Sequence, residues 1–269
     1  MIKPDDKVCI GWIDGGQIMS GFAAYMTNLV LSRPNVISDV VVASGPYLSY
    51  NRNRMVELFL QTDATWLFSL DSDLKITPED FDFLCDSADA TERAVVGGKY
   101  YLPFDNGANI HPSAMEKVEG TKLGAWIDPS KVFDGKIIDG LHSVGFGYSL
   151  THRDVFESIR TTNLIKDPNN ELCWFQDSWT PEYKNWMSDD VFFFFQVADA
   201  GINVALDTRA TSQHLKVMQI GDTSLLTVRN DFRSGPRHAH NHEHAHDHSS
   251  HEVMPSKMVS WWARRKKNI

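Results

Sequence analysis

The chain has 269 residues, of which 42% are hydrophobic and 11% aromatic, enough to bury the core of one large α/β domain. Lysine and arginine total 26 against 35 aspartates and glutamates, and this net charge of −9 argues against a general nucleic-acid-binding surface. Because there is no signal-peptide pattern, no stretch long enough to span a membrane, and only three widely spaced cysteines, we expect a soluble cytoplasmic protein with reduced thiols.

The first part of the chain alternates strand and helix patterns. Residues 8–13 and 39–44 are mostly apolar and predict strands, each followed by a helix-like stretch, over residues 20–31 and 53–62. A third apolar run, residues 64–70, follows directly. This alternation indicates βαβ units and an α/β fold with a mostly parallel central sheet and helices on both faces.

The third predicted strand ends in two carboxylates one residue apart, Asp71 and Asp73. Open α/β sheets bind ligands at the carboxyl ends of their strands, so chemistry is expected at this point. Two such carboxylates can converge on Mg²⁺ or Mn²⁺, whose other positions go to phosphate oxygens and water. The same pattern is also typical of a solvated turn before the helix predicted over residues 77–88.

The middle of the chain is less regular. Residues 94–98 predict a strand that ends in Gly97 and Gly98, where the backbone can approach a ligand closely. Residues 104–140 are rich in glycine, aspartate and proline and predict irregular structure. Residues 141–150 then predict a strand that two glycines interrupt.

An acidic pair opens the helix predicted over residues 188–201, with Ser188 as its N-cap. Asp189 and Asp190 therefore lie in the first turn, where the helix dipole favours acidic side chains whatever their function. A carboxylate fixed at a helix start beside the aromatic loop 173–179 is also well placed to accept a proton from a substrate hydroxyl.

A single histidine, His214, follows the strand predicted over residues 203–207. One histidine in a loop is usually an ordinary polar residue. Here it is the nearby candidate for an imidazole ligand to a metal that Asp71 and Asp73 could bind.

Taken in this order, the elements and motifs over about residues 7–216 resemble the GT-A glycosyltransferases. In detail they look like the small family-2-like transferases of bacteriophage and bacterial genomes. The motifs that carry this resemblance are Asn51-Arg52-Asn53-Arg54, Asp71-Ser72-Asp73, Val96-Gly97-Gly98, Val144-Gly145-Phe146-Gly147 and Ser188-Asp189-Asp190-Val191. The resemblance implies a single Rossmann-like GT-A catalytic domain, which we place at residues 1–220.

The resemblance also implies roles for the acidic residues and the histidine. Asp73 would ligate the Mn²⁺ or Mg²⁺ that bridges the diphosphate of the donor, and His214 would be a further protein ligand. Asp71 would contact the ribose or a metal-bound water and completes the predicted metal set. Asp190 would be the general base, with Asp189 as the next candidate because an aspartate replaces the family's glutamate at that position.

A second set of residues is expected to contact the nucleotide. Asp14 ends the first strand, and Arg52 with Asn53 would reach the base, ribose or diphosphate; the alternative is that these are ordinary surface residues. Gly97 and Gly98 complete the predicted nucleotide-binding set.

The implied reaction is an inverting transfer of a sugar from a nucleotide-diphosphate sugar, expected to be a UDP-sugar, to an acceptor hydroxyl. The acceptor would be a protein such as a phage virion component, or a glycan; a modified base in DNA is less favoured by the acidic net charge. A retaining reaction, a nucleotidyltransferase-like enzyme and a non-catalytic sugar- or metal-binding protein remain as alternatives.

Residues 221–269 predict a C-terminal extension. Histidine alternates with small or polar residues over 237–252, a pattern that cannot form a core and that predicts a flexible tract with affinity for Zn²⁺ or Ni²⁺, either adventitious or as a metal reservoir. Residues 261–267 combine two tryptophans with a basic cluster, which suits a solvated tail or a peripheral contact with a membrane surface, an acidic partner or nucleic acid.

Overall fold

The computed structural model describes residues 1–104, 109–166, 174–180 and 185–215. The predicted C-terminal extension, with its histidine tract and basic end, lies outside these residues, as does Cys173. Cys9 and Cys85 are buried free thiols. A search of the described part of the chain finds no helix with the length and apolar character needed to span a bilayer.

The described residues form five α-helices and sixteen strands. The helices are α1 (Ser20–Ser32), α2 (Leu48–Leu60), α3 (Pro78–Ser87), α4 (Arg153–Lys166) and α5 (Asp189–Asp199). The strands are β1 (Val8–Asp14), β2 (Ile37–Ser44), β3 (Trp66–Asp71), β4 (Leu74–Lys75), β5 (Val95–Lys99), β6 (Tyr101–Phe104), β7 (Asn109–Pro112), β8 (Ala114–Lys117), β9 (Gly124–Trp126), β10 (Ile137–Ile138), β11 (Ser143–Val144), β12 (Tyr148–His152), β13 (Ser178–Thr180), β14 (Asn185–Met187), β15 (Val204–Thr211) and β16 (Gln213–His214).

Seven strands form the central sheet, in the order β10-β15-β5-β12-β3-β1-β2. Strands β1, β2, β3, β5 and β15 run in one direction, whereas β12 and β10 run antiparallel to their neighbours. The prediction of an α/β fold with a mostly parallel central sheet is therefore confirmed.

Helices cover both faces of this sheet, which explains the continuous apolar run of β3. Trp66, Phe68 and Leu70 lie in one core cluster with residues of α1 and α3, while Leu67 lies in a second cluster with residues of α2, α4 and α5. Because both faces of the strand are buried, successive residues can all be apolar. The strand then ends at the half-buried carboxylate of Asp71.

Strand β12 lies antiparallel between β3 and β5. Only the last three residues of the predicted strand 141–150 belong to it; residues 143–144 pair instead with β8. Since β12 runs against its neighbours, its first residue lies beside the carboxyl ends of β3 and β5. The loop that precedes it, residues 145–147, therefore reaches the edge of the sheet where ligands are expected.

The segment predicted to be irregular, residues 104–140, contains small antiparallel sheets. Strands β6 and β7 form a two-stranded ribbon, and β8 is paired with β9 and β11 in a three-stranded sheet. These strands have two to four residues each, too few for an alternating pattern to be recognised in the sequence.

Candidate active site

A cavity of about 530 Å³ opens at the carboxyl ends of the parallel strands. Its walls include the ends of β1 and β3, the start of α5 and strand β16. The charged side chains that line it are Arg52, Asp14, Asp71, Asp73, Asp189 and Asp190, and His214 also faces it. Most of the side chains singled out in the sequence therefore share one cavity, although they are spread over 201 positions, from residue 14 to residue 214.

The pairing of β16 with β4 brings Asp73 and His214 together. His214 lies opposite Leu74 in this antiparallel pair, and the backbone N–H of Leu215 donates to the Asp73 carbonyl at 2.7 Å. As a result, His214 Nε2 lies 3.1 Å from Asp73 Oδ2, across 141 residues of sequence. On its other side, the Nδ1 atom of the ring lies 3.0 Å from the Tyr101 carbonyl oxygen.

The donor set of this pair fits a divalent cation. A carbonyl oxygen only accepts, so Nδ1 carries the hydrogen there, and Nε2 of the neutral ring presents a lone pair toward the Asp73 carboxylate. The Nε2 lone pair and the Asp73 Oδ2 atom then face each other, and a proton or a cation between these two acceptors removes their repulsion. The histidine is oriented by a backbone carbonyl, as is usual for metal-binding imidazoles.

The third predicted ligand, Asp71, is held differently. Within the described residues, no group of three or more His, Cys, Asp or Glu side chains is arranged to hold an ion. Asp71 Oδ1 instead lies 3.6 Å from Arg52 Nη2. The geometry thus suits a cation held by Asp73 and His214, with its other positions open to phosphate and water, as is common for Mg²⁺.

Arg52 connects three parts of the site. Its side chain, only 6% exposed, extends from α2, and Nη1 donates to both carboxylate oxygens of Asp189 at 3.0 Å. The guanidinium carbon also lies 5.7 Å from the ring centre of Phe146 and 5.9 Å from that of Phe175. That Arg52 contacts a nucleotide stays a prediction; its guanidinium lies between the strand end at Asp71 and the helix start at Asp189.

Burial and mutual attraction shift the pKa values of Arg52, Asp71 and Asp189. Burial raises the pKa of Asp71 and of Asp189, and the nearby Arg52 guanidinium partly opposes both shifts. The pKa of Arg52 is raised above its usual value: burial lowers it, but the charges of Asp71 and Asp189 outweigh that effect. Arg52 and Asp189 therefore form a buried ion pair, and the half-buried carboxylate of Asp71 lies at its edge.

The two neighbouring acids at the start of α5 differ in environment. Asp189 is 2% exposed and paired with Arg52, whereas Asp190 is partly exposed and lines the cavity. Asp190 Oδ1 accepts from the Ser188 hydroxyl at 2.5 Å and from the Val191 N–H at 2.8 Å. Ser188 does occupy the N-cap position, but its side-chain oxygen accepts no capping hydrogen bond, and its hydroxyl donates to Asp190.

Asp14 and Asn53, both predicted to contact the nucleotide, are placed differently. Asp14 lines the cavity, where Oδ1 accepts from the Gly16 N–H at 2.7 Å. Asn53 is not among the lining residues. Its side-chain oxygen accepts from the N–H groups of Trp174 and Phe175, and its nitrogen donates to the Phe175 carbonyl at 2.7 Å. Asn53 thus fixes the aromatic loop behind the site.

The glycine pair Gly97-Gly98 also lies away from the cavity lining. A Cβ atom on Gly97 would come within 2.6 Å of the Val144 side chain, and one on Gly98 would overlap the Tyr148 ring. The close approach expected at this pair is therefore made by core side chains of the protein itself. A contact of these glycines with a nucleotide stays a prediction.

Two further residues of the site were missed in the sequence. Tyr100 is 4% exposed and lines the cavity, and burial together with the charges of Asp71 and Asp190 raises the pKa of its hydroxyl well above the usual value. A side chain at Gly147 would overlap the Asp71 carboxylate. Gly145 and Gly147, which interrupt the predicted strand, could have indicated this contact, since glycine in a strand often marks a place where another part of the protein or a ligand comes close to the backbone.

Fold and site together define an α/β protein with a carboxylate-rich cavity at the ends of its parallel strands. Neither a protein-family model nor a curated protein matches the sequence. Among solved structures, A197 from STIV is similar at 16% identity and a TM-score of 0.48, over 78% of this chain and 86% of that one. GalNAc-T7 with UDP, GalNAc and Mn²⁺ is similar at 8% identity and a TM-score of 0.49, over 79% of this chain and 44% of that one. Similarities at this level do not assign an activity.

Proposed function

We propose that this chain is a metal-dependent glycosyltransferase of the GT-A type, which transfers a sugar from a nucleotide-diphosphate sugar to an acceptor hydroxyl with inversion. The observation that carries the proposal is the convergence of Asp73, His214 and Asp190 on one cavity at the carboxyl ends of parallel strands. In the chain these residues come in the order Asp73, Asp190 and His214, which is the order that the GT-A resemblance implies.

The cavity is suited to the nucleotide part of the donor. Its volume of about 530 Å³ lies within the range of about 300 to 1,000 Å³ usual for small-molecule sites. Asp73 and His214 would hold Mn²⁺ or Mg²⁺, which when bound offsets the negative charge that develops on the leaving diphosphate. Asp14 lies at the end of β1, where its carboxylate can accept from a ribose hydroxyl or a base N–H.

Asp190 is the better candidate for the general base. The acceptor hydroxyl is a poor nucleophile at neutral pH, and a carboxylate within hydrogen-bond reach can take its proton as the attack proceeds. Ser188 and the Val191 N–H both contact Oδ1, which leaves Oδ2 toward the acceptor. Asp189 is less suited, because Arg52 contacts both of its oxygens.

The donor and the acceptor complete the proposal. We propose a UDP-sugar as donor and a protein, such as a virion component, or a glycan as acceptor, with the reaction in the cytoplasm. The basic C-terminal end would contribute at most a peripheral contact.

The test is a panel of nucleotide sugars with Mn²⁺, scored by released nucleoside diphosphate and by mass spectrometry of candidate acceptors. We expect Asp73→Ala to weaken metal-dependent nucleotide binding by at least about 10- to 100-fold, the loss typical of mutating a residue that only orients a ligand, since Asp73 would be a ligand itself. Asp190→Asn should keep that binding and lower transfer about 10²- to 10⁴-fold. Asp134→Asn, a change of the same kind at an exposed aspartate, is the control.

Two results would contradict the proposal. One is an Asp73→Ala protein with unchanged transfer and unchanged metal-dependent nucleotide binding. The other is a wild-type protein that neither binds nor cleaves any nucleotide sugar in the presence of Mn²⁺ or Mg²⁺, as a binding protein working through its histidine tract would behave.

A further inference from the structure

A second cavity, of about 240 Å³, adjoins the first one at the start of α5. Leu102, Ser188 and Asp190 line both cavities. Asp190 therefore lies at the junction, where its carboxylate can be reached from either side. A group in the second cavity would lie beside the proposed base and opposite the proposed nucleotide site.

The linings of the two cavities differ in chemistry. The first contains five aspartates and one arginine, whereas Asp190 is the only charged residue among those lining the second. The second is formed mainly by apolar side chains from the β8–β9–β11 sheet and from α5, namely Ala114, Met115, Trp126, Val144, Val191 and Phe194. Apart from Asp190 and the indole N–H of Trp126, its polar side-chain groups are serine hydroxyls.

This lining is poorly matched to a sugar. Each sugar hydroxyl that loses its water in this cavity needs a hydrogen-bond partner, because an unmatched buried polar group is costly. One of the serines, Ser113, already accepts a hydrogen bond from the Tyr100 N–H at 3.3 Å. The apolar side chains instead favour an apolar occupant, which gains from leaving water.

The volume and the aromatic lining of the second cavity further restrict the class of ligand that fits it. A cavity of about 150 Å³ holds benzene, so about 240 Å³ holds one ring with small substituents. Trp126 and Phe194 offer aromatic contacts, which favour a ring over an aliphatic chain. The plane of Trp126 is fixed by His111, which stacks on it at 5.2 Å with an interplanar angle of 23°.

We propose, on the basis of the function proposed above, that the acceptor hydroxyl is carried by a compact apolar ring, such as a phenol, that occupies the second cavity. The hydroxyl then lies at Asp190. Its proton passes to Asp190 Oδ2 while its oxygen bonds to the anomeric carbon of the donor. The bond from that carbon to the diphosphate oxygen breaks, and its electron pair leaves with the nucleoside diphosphate.

The experiment combines binding and turnover in the full chain. Binding of 4-methylphenol is measured by calorimetry, and diphosphate release is measured with N-acetyl-tyrosinamide or methyl glucoside as acceptor. Val191→Phe places a larger side chain in the second cavity, and Val40→Phe makes the same change at a 44% exposed valine of β2. Binding of UDP with Mn²⁺ is measured for each protein as a readout of the first cavity.

We expect the phenols to bind and to accelerate diphosphate release, and methyl glucoside to do neither. Val191→Phe should weaken phenol binding and raise the KM for the phenolic acceptor at least about tenfold, with UDP binding unchanged, whereas Val40→Phe should resemble the wild type.

The inference is overturned if methyl glucoside is the better acceptor, if the phenols neither bind nor accelerate release, or if the two valine variants behave alike. In each case a protein that still binds UDP with Mn²⁺ and cleaves a nucleotide sugar keeps the proposed function. A protein that binds phenol but cleaves no nucleotide sugar would refute the proposed function, and with it the acceptor role of the cavity.

Discussion

Residues 8–71 and residues 100–147 both contribute walls to the candidate site, but they do so through different kinds of structure. The first region consists of three parallel strands joined by two helices, and its site residues lie at strand ends or on the helix beside them. The second region consists of antiparallel strands of two to four residues, and its loop 145–147 is placed by contacts of Gly147 with Asp71, which lies far away in the sequence. Regular elements thus set the general location of the site, and long-range contacts set its details.

The variant with the largest expected effect is Arg52→Met, because the Arg52 side chain joins the first region to α5. Replacing it with methionine leaves Asp189, 2% exposed, without its cationic partner. Breaking a buried ion pair in this way typically costs about 3 to 5 kcal/mol, so we expect a loss of that order in the free energy of unfolding. The measurement is urea denaturation at pH 7.

The matched control is Arg54→Met, two residues further along the same helix. Arg54 is about half exposed and pairs with Glu57 on the surface, so its loss should cost less than about 0.5 kcal/mol. If both variants lose the same small amount of stability, Arg52 does not hold the first region to α5.

Gly147 tests the second region, where the absence of a side chain makes room for Asp71. Gly147→Ala forces the new methyl group against the Asp71 carboxylate, and we expect a loss of about 1 to 3 kcal/mol together with weaker nucleotide binding. Gly21→Ala, where the nearest atom is 3.7 Å away within α1, should instead stabilise the protein by about 0.5 to 1 kcal/mol. Thermal unfolding of both variants gives the comparison; a neutral Gly147→Ala would argue against this packing.

His142 gives a smaller, pH-dependent effect in the second region. Burial lowers the pKa of this imidazole, and within the described residues Nδ1 has no partner, while Nε2 lies 3.0 Å from the Lys122 carbonyl oxygen. The unfolded chain therefore binds a proton more readily. The contribution of His142 to stability is present above the unfolded pKa of about 6.5 and is lost as the pH falls toward the lower, folded pKa.

The measurement is the free energy of unfolding at pH 7.5 and at pH 5.5, for the wild type and for His142→Gln. Because glutamine can donate to the same carbonyl but does not titrate there, the variant should lose on the order of 1 kcal/mol less than the wild type over this interval. Burial also lowers the pKa of His152, so part of the slope should remain in the variant. Equal slopes in the two proteins would contradict the assignment.

The same contrast explains how much could be predicted from the sequence. The run before Asp71 was recognisable because a strand covered on both faces must be apolar throughout. The proximity of Asp73 and His214 was expected from the family resemblance, and it depends on the pairing of β16 with β4, which has only two residues per strand. The roles of Asn53, Gly97 and Gly98 were not visible, because each depends on a partner in a distant segment, such as Phe175 or Tyr148.

The reversed strand β12 has a consequence for how this site can change during evolution. Tyr148 and Leu150 point into one core cluster, while Ser149 and Thr151 alternate with them and are also buried. One inserted residue that shifted β12 along its neighbours would exchange these two faces and bury hydroxyls where the core is apolar. The preceding loop is also held, since the Gly147 carbonyl accepts from the Asp71 N–H at 2.8 Å. The loop 145–147 is therefore constrained in length, and Phe146 at its centre is constrained in type as well, because its ring is fully buried against Phe175 and Phe193.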